Sequence, residues 1–146
     1  MRKNGGHVLT FSWCELEAAR DFFLRAHPTE PLLFEGAAQS PVARLWGGVW
    51  GARTGMVGVT PAVSNAPFWI WVRFRTQADS SRATLHRAVN LLPEWDLVDE
   101  GLRRQVIRVP GDACPEDVVV VAVRLVDAAI GAPQHAYRMR VDPFDA

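Results

Sequence analysis

Trp69, Trp71, Arg73 and Arg75 recur at every second position, and in an extended chain that spacing places all four on one face. Indole rings offer flat polarizable surfaces with one N–H donor, while guanidinium groups offer planar forks of donors that match carboxylates and phosphates. The chemistry open to such a row is non-covalent: stacking, cation–π contact and capture of an anion. The intervening Phe68, Ile70, Val72 and Phe74 are wholly apolar, so they face a core and fix the register. Residues 43–50 alternate in the same way, with Arg44, Trp46 and Trp50 on one side and Ala43, Leu45 and Val49 on the other. Trp46, Trp50, Trp69, Trp71, Arg73 and Arg75 are therefore the candidate partner-binding residues, on strands of one sheet. The same tryptophans would also suit a core or a dimer interface with the arginines at its rim.

Covalent chemistry finds fewer footholds. No glycine-rich phosphate loop of either common spacing, no nucleophile elbow, no His-Glu-x-x-His and no paired-cysteine zinc pattern is present. No cofactor or metal is therefore expected. His86, His135, Asp96 and Asp142 are the raw material for a site assembled only by folding. The acid pairs Asp99-Glu100 and Glu116-Asp117 read as a turn and a helix start. Cys14 and Cys114 stand a hundred residues apart, and both read as reduced, near-buried thiols at helix N-termini, where the dipole lowers a thiol pKa.

These residues sit in a chain of 146 with 49% hydrophobic and 22% charged residues, the size and balance of one soluble domain with a single core. Sixteen basic residues cancel sixteen acidic ones, so bulk charge draws the chain to neither nucleic acid nor anionic lipid. The run from Val118 to Val123 is far too short to span a bilayer. No signal-peptide h-region follows Met1-Arg2-Lys3, which points to the cytoplasm.

The elements that must position the tryptophans follow from local signals. Ser12 and Glu15 form a capping box, with Phe11 and Leu16 as its hydrophobic staple, and open a helix that runs to about Ala26 before His27-Pro28. Trp13, Leu16, Ala19, Phe23 and Ala26 give it one buried side. Pro31 to Phe34 suits an edge strand. Residues 43–50 and Met56 to Thr60 make a hairpin around Gly51 and Gly55, and Phe68 to Arg75 follows. Asp79 to Leu92 reads as a helix stopped by Pro93. Trp95 to Val98 and Leu102 to Val109 form a second hairpin about Asp99-Glu100-Gly101.

Four consecutive valines at 118–121 invite a strand. Pro115, Glu116, Asp117 and the later Gly131 and Pro133 instead frame a helix, apolar on nearly every side, Val120 included. It must lie between the sheet and something else, such as a second subunit. Ala136 to Val141 adds a short strand. The expectation is α+β: an antiparallel sheet with helices packed on one face, in the order α-β-β-β-α-β-β-α with additional edge strands, as one domain over 1–146 with loose tails at 1–10 and 142–146.

That layout, with its apolar last helix after Asp112-Ala113-Cys114-Pro115, resembles the small bacterial type III secretion chaperone-like domains, including the YbjN-like proteins. The matching stretch runs from Ser12 to Gly131, and the piece at Pro31 to Phe34 departs from it. The resemblance implies dimerisation and the binding of a protein segment rather than catalysis, and no functional residue carries over. The expected function is a cytoplasmic, homodimeric, non-enzymatic protein-binding module of chaperone-like, adaptor or immunity type. The alternatives are a small single-stranded nucleic-acid-binding domain using Trp69, Trp71, Arg73 and Arg75, and a small enzyme whose site is scattered in sequence.

Overall fold

The computed structural model describes residues 8–27, 29–37, 55–62, 65–74, 94–100, 104–130 and 133–141. The expected strand at 43–50 and helix at 79–92 lie outside them, as do Trp46, Trp50, Arg75, His86 and Asp142. The described strands are β1 (Val8–Phe11), β2 (Leu32–Gly36), β3 (Met56–Val59), β4 (Phe68–Arg73), β5 (Asp96–Glu100), β6 (Arg104–Val109) and β7 (Tyr137–Val141). All pair antiparallel in one sheet of order β1-β7-β2-β3-β4-β6-β5. Helices α1 (Leu16–Ala26) and α2 (Pro115–Ile130) pack on one face of this sheet and against each other. The fold is α+β, as the alternation and capping signals require.

Local chemistry accounts for the helix starts. The Glu15 carboxylate accepts from the Ser12 amide at 3.1 Å, and the chain makes a 3-10 turn over Trp13–Glu15 before α1 begins. Ala19, Phe22 and Phe23 form the buried side of α1, whereas Trp13, in the turn, stays exposed. In α2, acids in the first turn favour the helix over the β-propensity of its valines. Tertiary packing does the rest. Val118, Val119, Val121, Ala122, Val123, Leu125, Val126, Ala128 and Ala129 are buried, against β2, β3, β4 and α1. The chain's own sheet and first helix thus cover most of this helix, while Val120 is only half-buried. That departs from the expectation of burial on every side.

Two strand assignments also differ from expectation. β2 is central rather than an edge: it lies between β7 and β3, and all five of its residues are buried. Leu32 and Phe34 face the helices while Leu33 and Glu35 face away, so a strand buried on both faces shows little polar alternation. The C-terminal strand β7 inserts between β1 and β2, and β1 takes up residues 8–10 of the stretch expected to be a tail. Local periodicity cannot show such a non-sequential insertion.

The core beneath the helices draws Phe68, Ile70, Val72, Val57, Val59, Ile107, Val109, Met139 and Tyr137 from the sheet. Gln105 lies among them, wholly buried, and neither atom of its side-chain amide finds a partner among the described residues.

Candidate binding face

The strand registers decide which side chains share the face turned away from the helices. Because Phe68, Ile70 and Val72 point into the core, Trp69, Trp71 and Arg73 point the other way. Across β4 and β6 the pairs are Trp69 with Arg108, Trp71 with Val106, and Arg73 with Arg104. On the other side of β4, Trp71 lies opposite Gly58 and Arg73 opposite Met56. Leu33, Glu35, Arg138 and Arg140 continue the same face across β2 and β7. The row anticipated from the sequence is therefore real for Trp69, Trp71 and Arg73.

Glycine at 58 is what allows Trp71 to lie against the sheet. A Cβ built there would stand 1.9 Å from the indole Cε2 and 2.1 Å from Cζ2, so the ring occupies the space of a missing side chain. Trp71 is half-buried in consequence, while its neighbour Trp69 keeps 44% of its surface exposed. The Thr60 side chain accepts from the Trp69 amide at 2.9 Å, and the Thr60 amide donates to the Trp69 carbonyl at 2.9 Å. Thr60 thus holds the backbone beneath the open indole through both the N–H and the carbonyl of Trp69.

The charges on this face are unevenly used. Glu35 is 3% exposed and its Oε1 accepts from Arg138 Nε at 2.7 Å and from Arg140 Nε at 3.1 Å. Burying a carboxylate is costly unless it is paired and hydrogen-bonded in this way. Arg108 lies 3.5 Å from Asp96 with both side chains about half exposed, a pairing that contributes little. Arg73 and Arg104 stand opposite one another, and among the residues whose side chains are described no carboxylate pairs with either. The face is closed at the β2–β7 end, where Leu33 and Glu35 are buried, and open at the β4–β6 end around Trp69, Arg104 and Arg108, with Trp71 and Arg73 half-buried and Val106 buried between them.

The other clusters are organised differently. Trp13 Nε1 donates to the Tyr137 hydroxyl at 3.0 Å, and that hydroxyl donates to Asp127 at 2.9 Å. Burial raises the Asp127 carboxyl and pushes the Tyr137 phenol up to about 12, the adjacent carboxylate adding to the latter. With Tyr137 wholly buried, this network joins α2 to β7 and the 3-10 turn. His27 closes α1, with its ring stacked 4.3 Å from Phe23, edge-on 4.4 Å from Phe68, and Nε2 2.9 Å from the Thr60 carbonyl. A groove of about 470 Å³ between the helices is lined by Leu16, Glu17, Arg20, Glu116, Val119 and Val120, and Arg20 bonds Glu116 across it at 2.9 Å.

Of the scattered His and carboxylate candidates, His135 precedes β7 and Asp96 begins β5. Those strands are five places apart in the sheet, roughly 24 Å at the usual strand spacing, so the structure does not bring the two together. Among the described residues no group of three or more His, Cys, Asp or Glu could hold a metal ion, and no helix is long and apolar enough to cross a membrane. Both cysteines are exposed rather than near-buried. Cys14 sits in the turn whose Trp13 meets Arg124, whereas Cys114 starts α2, whose Glu116 meets Arg20, so they flank opposite ends of an antiparallel helix pair. Sequence reasoning missed Arg104 and Arg108 as members of the face. Their spacing of four in a strand was the available signal, but only the β4–β6 register joins them to Trp69 and Arg73. No family model, curated protein or solved structure matches the chain.

Proposed function

We propose that this domain is a non-enzymatic protein-binding module whose contact surface is the open end of the far sheet face, centred on Trp69 with Trp71, Arg73, Arg104 and Arg108 around it. One observation carries this reading. Trp69 is a large aromatic side chain left 44% exposed on an interior strand, although the register of that strand is already secured by Phe68, Ile70 and Val72 beneath it. An exposed indole framed by arginines has the composition of an interface hot spot. The layout resemblance to chaperone-like domains points the same way.

Selection of a displayed random-peptide library on the immobilised protein tests it. Peptides that bind the wild type and lose at least about ten-fold in affinity on Trp69→Ala support the reading, since a buried aromatic anchor commonly contributes 2 kcal/mol or more. A pool indifferent to Trp69→Ala overturns it. The variant should melt within a few degrees of the wild type, because the ring adds little to the core.

A further inference from the structure

Resting on that reading, we infer that Arg73 and Arg104 form a carboxylate-reading pair, and that the partner is an acidic polypeptide segment whose apolar side chain lies on Trp69. The two arginines are directly opposed on neighbouring strands, where side chains approach to about 5 Å and like charges are destabilising. Arg138 and Arg140 on the same face share the buried Glu35, and Arg108 has Asp96. Arg73 and Arg104 alone among these five lack a described carboxylate. A pair of guanidinium forks set side by side is relieved by an anion placed between them, and a carboxylate accepts from both.

Geometry narrows the ligand further. Trp69 and Arg73 lie four residues apart on one strand, about 13 Å along the face. An extended segment that places an apolar residue on Trp69 would therefore present Asp or Glu four residues away, on the same side. A nucleic-acid strand fits less well. Its affinity depends on many phosphate contacts, whereas two free arginines would give a salt slope of only about −1.4, and the Asp96 carboxylate stands beside Arg108 in the row that holds Trp69. Two copies meeting face to face about a two-fold axis would bring like charges together, so a second copy is not the occupant.

The test uses the full chain and the peptides selected on it. Sequences dependent on Trp69 should be rich in Asp and Glu. One such peptide, synthesised, should bind the Arg73→Gln/Arg104→Gln protein between ten-fold and about a hundred-fold more weakly, the range of charge-assisted hydrogen bonds. Its Asp-to-Asn and Glu-to-Gln counterpart should lose as much on the wild type. The double variant should melt no lower than the wild type, because it removes repulsion; a fall of several degrees would show these arginines held by the fold and overturn the inference. A Trp69-dependent pool without carboxylate enrichment, or unaffected by the double variant, overturns the acidic partner and leaves the protein-binding reading standing. No Trp69-dependent pool, with deca-thymidylate bound at low salt, overturns both in favour of single-stranded nucleic acid. Sedimentation showing a dimer that Arg73→Gln/Arg104→Gln disrupts would assign the face to a second copy and overturn the inference.

Discussion

Replacing Gly58 by alanine isolates the contact that keeps Trp71 flat on the sheet. Gly58 has no positive φ, so alanine meets no backbone penalty, and in a strand the exchange alone should stabilise by about 0.5–1 kcal/mol. The new methyl would however stand 1.9 Å, 2.1 Å and 2.2 Å from three atoms of the indole. Carbon atoms rest at about 3.5–4.0 Å, so the ring must lift by roughly 2 Å or swing away. Overpacking of this kind costs about 1–3 kcal/mol. The sign should therefore depend on the partner: Gly58→Ala destabilises the wild type and stabilises a Trp71→Ala background. Urea denaturation of the four proteins gives the coupling, expected at about 2 kcal/mol or more, beyond the usual error of additivity. Equal effects of Gly58→Ala in both backgrounds would refute the argument, because the ring would then not be occupying the space of the missing side chain.

Glu35→Gln should lower stability by about 2–3 kcal/mol, since removing one partner of a buried ion pair strands the others and partial exposure of Arg138 and Arg140 softens the loss; an unchanged melting temperature would contradict the pairing. Gln105→Leu should raise stability by about 1 kcal/mol, because the amide is desolvated without a partner among the described residues, and calorimetry showing a decrease would indicate that the amide is satisfied. Burial lowers the His27 pKa below 6.5, only partly opposed by its bond to the Thr60 carbonyl, so the unfolded chain takes up the proton first. Stability from this group is full above pH 6.5 and declines as pH falls towards the folded-state value. His27→Gln should flatten that decline, and an imidazole titrating at or above 6.5 by NMR would reverse the sign.

Much of the architecture was legible because several local signals agreed. The capping box at Ser12, the alternation of Phe68 to Arg73, and the framing of the valine run by Pro115, Glu116 and Asp117 each named an element and its orientation. β2 was misplaced for a physical reason. Alternation reports a strand with one wet face, and Leu33 and Glu35 are buried on the face where polar exposure would have revealed a central strand. Glu35 in particular reads as a solvent-facing acid until Arg138 and Arg140, more than a hundred residues later, are found beside it. The candidate face was half legible. One strand displayed Trp69, Trp71 and Arg73, but its counterpart Arg104 is set by a register, and the vacancy that seats Trp71 belongs to a glycine on a third strand.

Folding also changes what a formal charge of zero means here. Sixteen acids cancel sixteen bases over the whole chain, and that balance argues against an electrostatic partner only if the charges are mixed. Folding separates them. Glu15, Glu17, Asp21, Glu116 and Asp117 are exposed on the helices and the turn before them, against Arg20, Arg25 and Arg124. The opposite face of the sheet holds Arg73, Arg104, Arg108, Arg138 and Arg140 against Glu35, Asp96 and, by its register opposite Val106, Asp99. Charge interactions at physiological salt fall off over about 8 Å, so a segment approaching Trp69 senses its near neighbours rather than the acids on the helices. Neutrality of the whole and a cationic recognition face are therefore compatible. The distance over which charge is felt, rather than its sum, selects the partner.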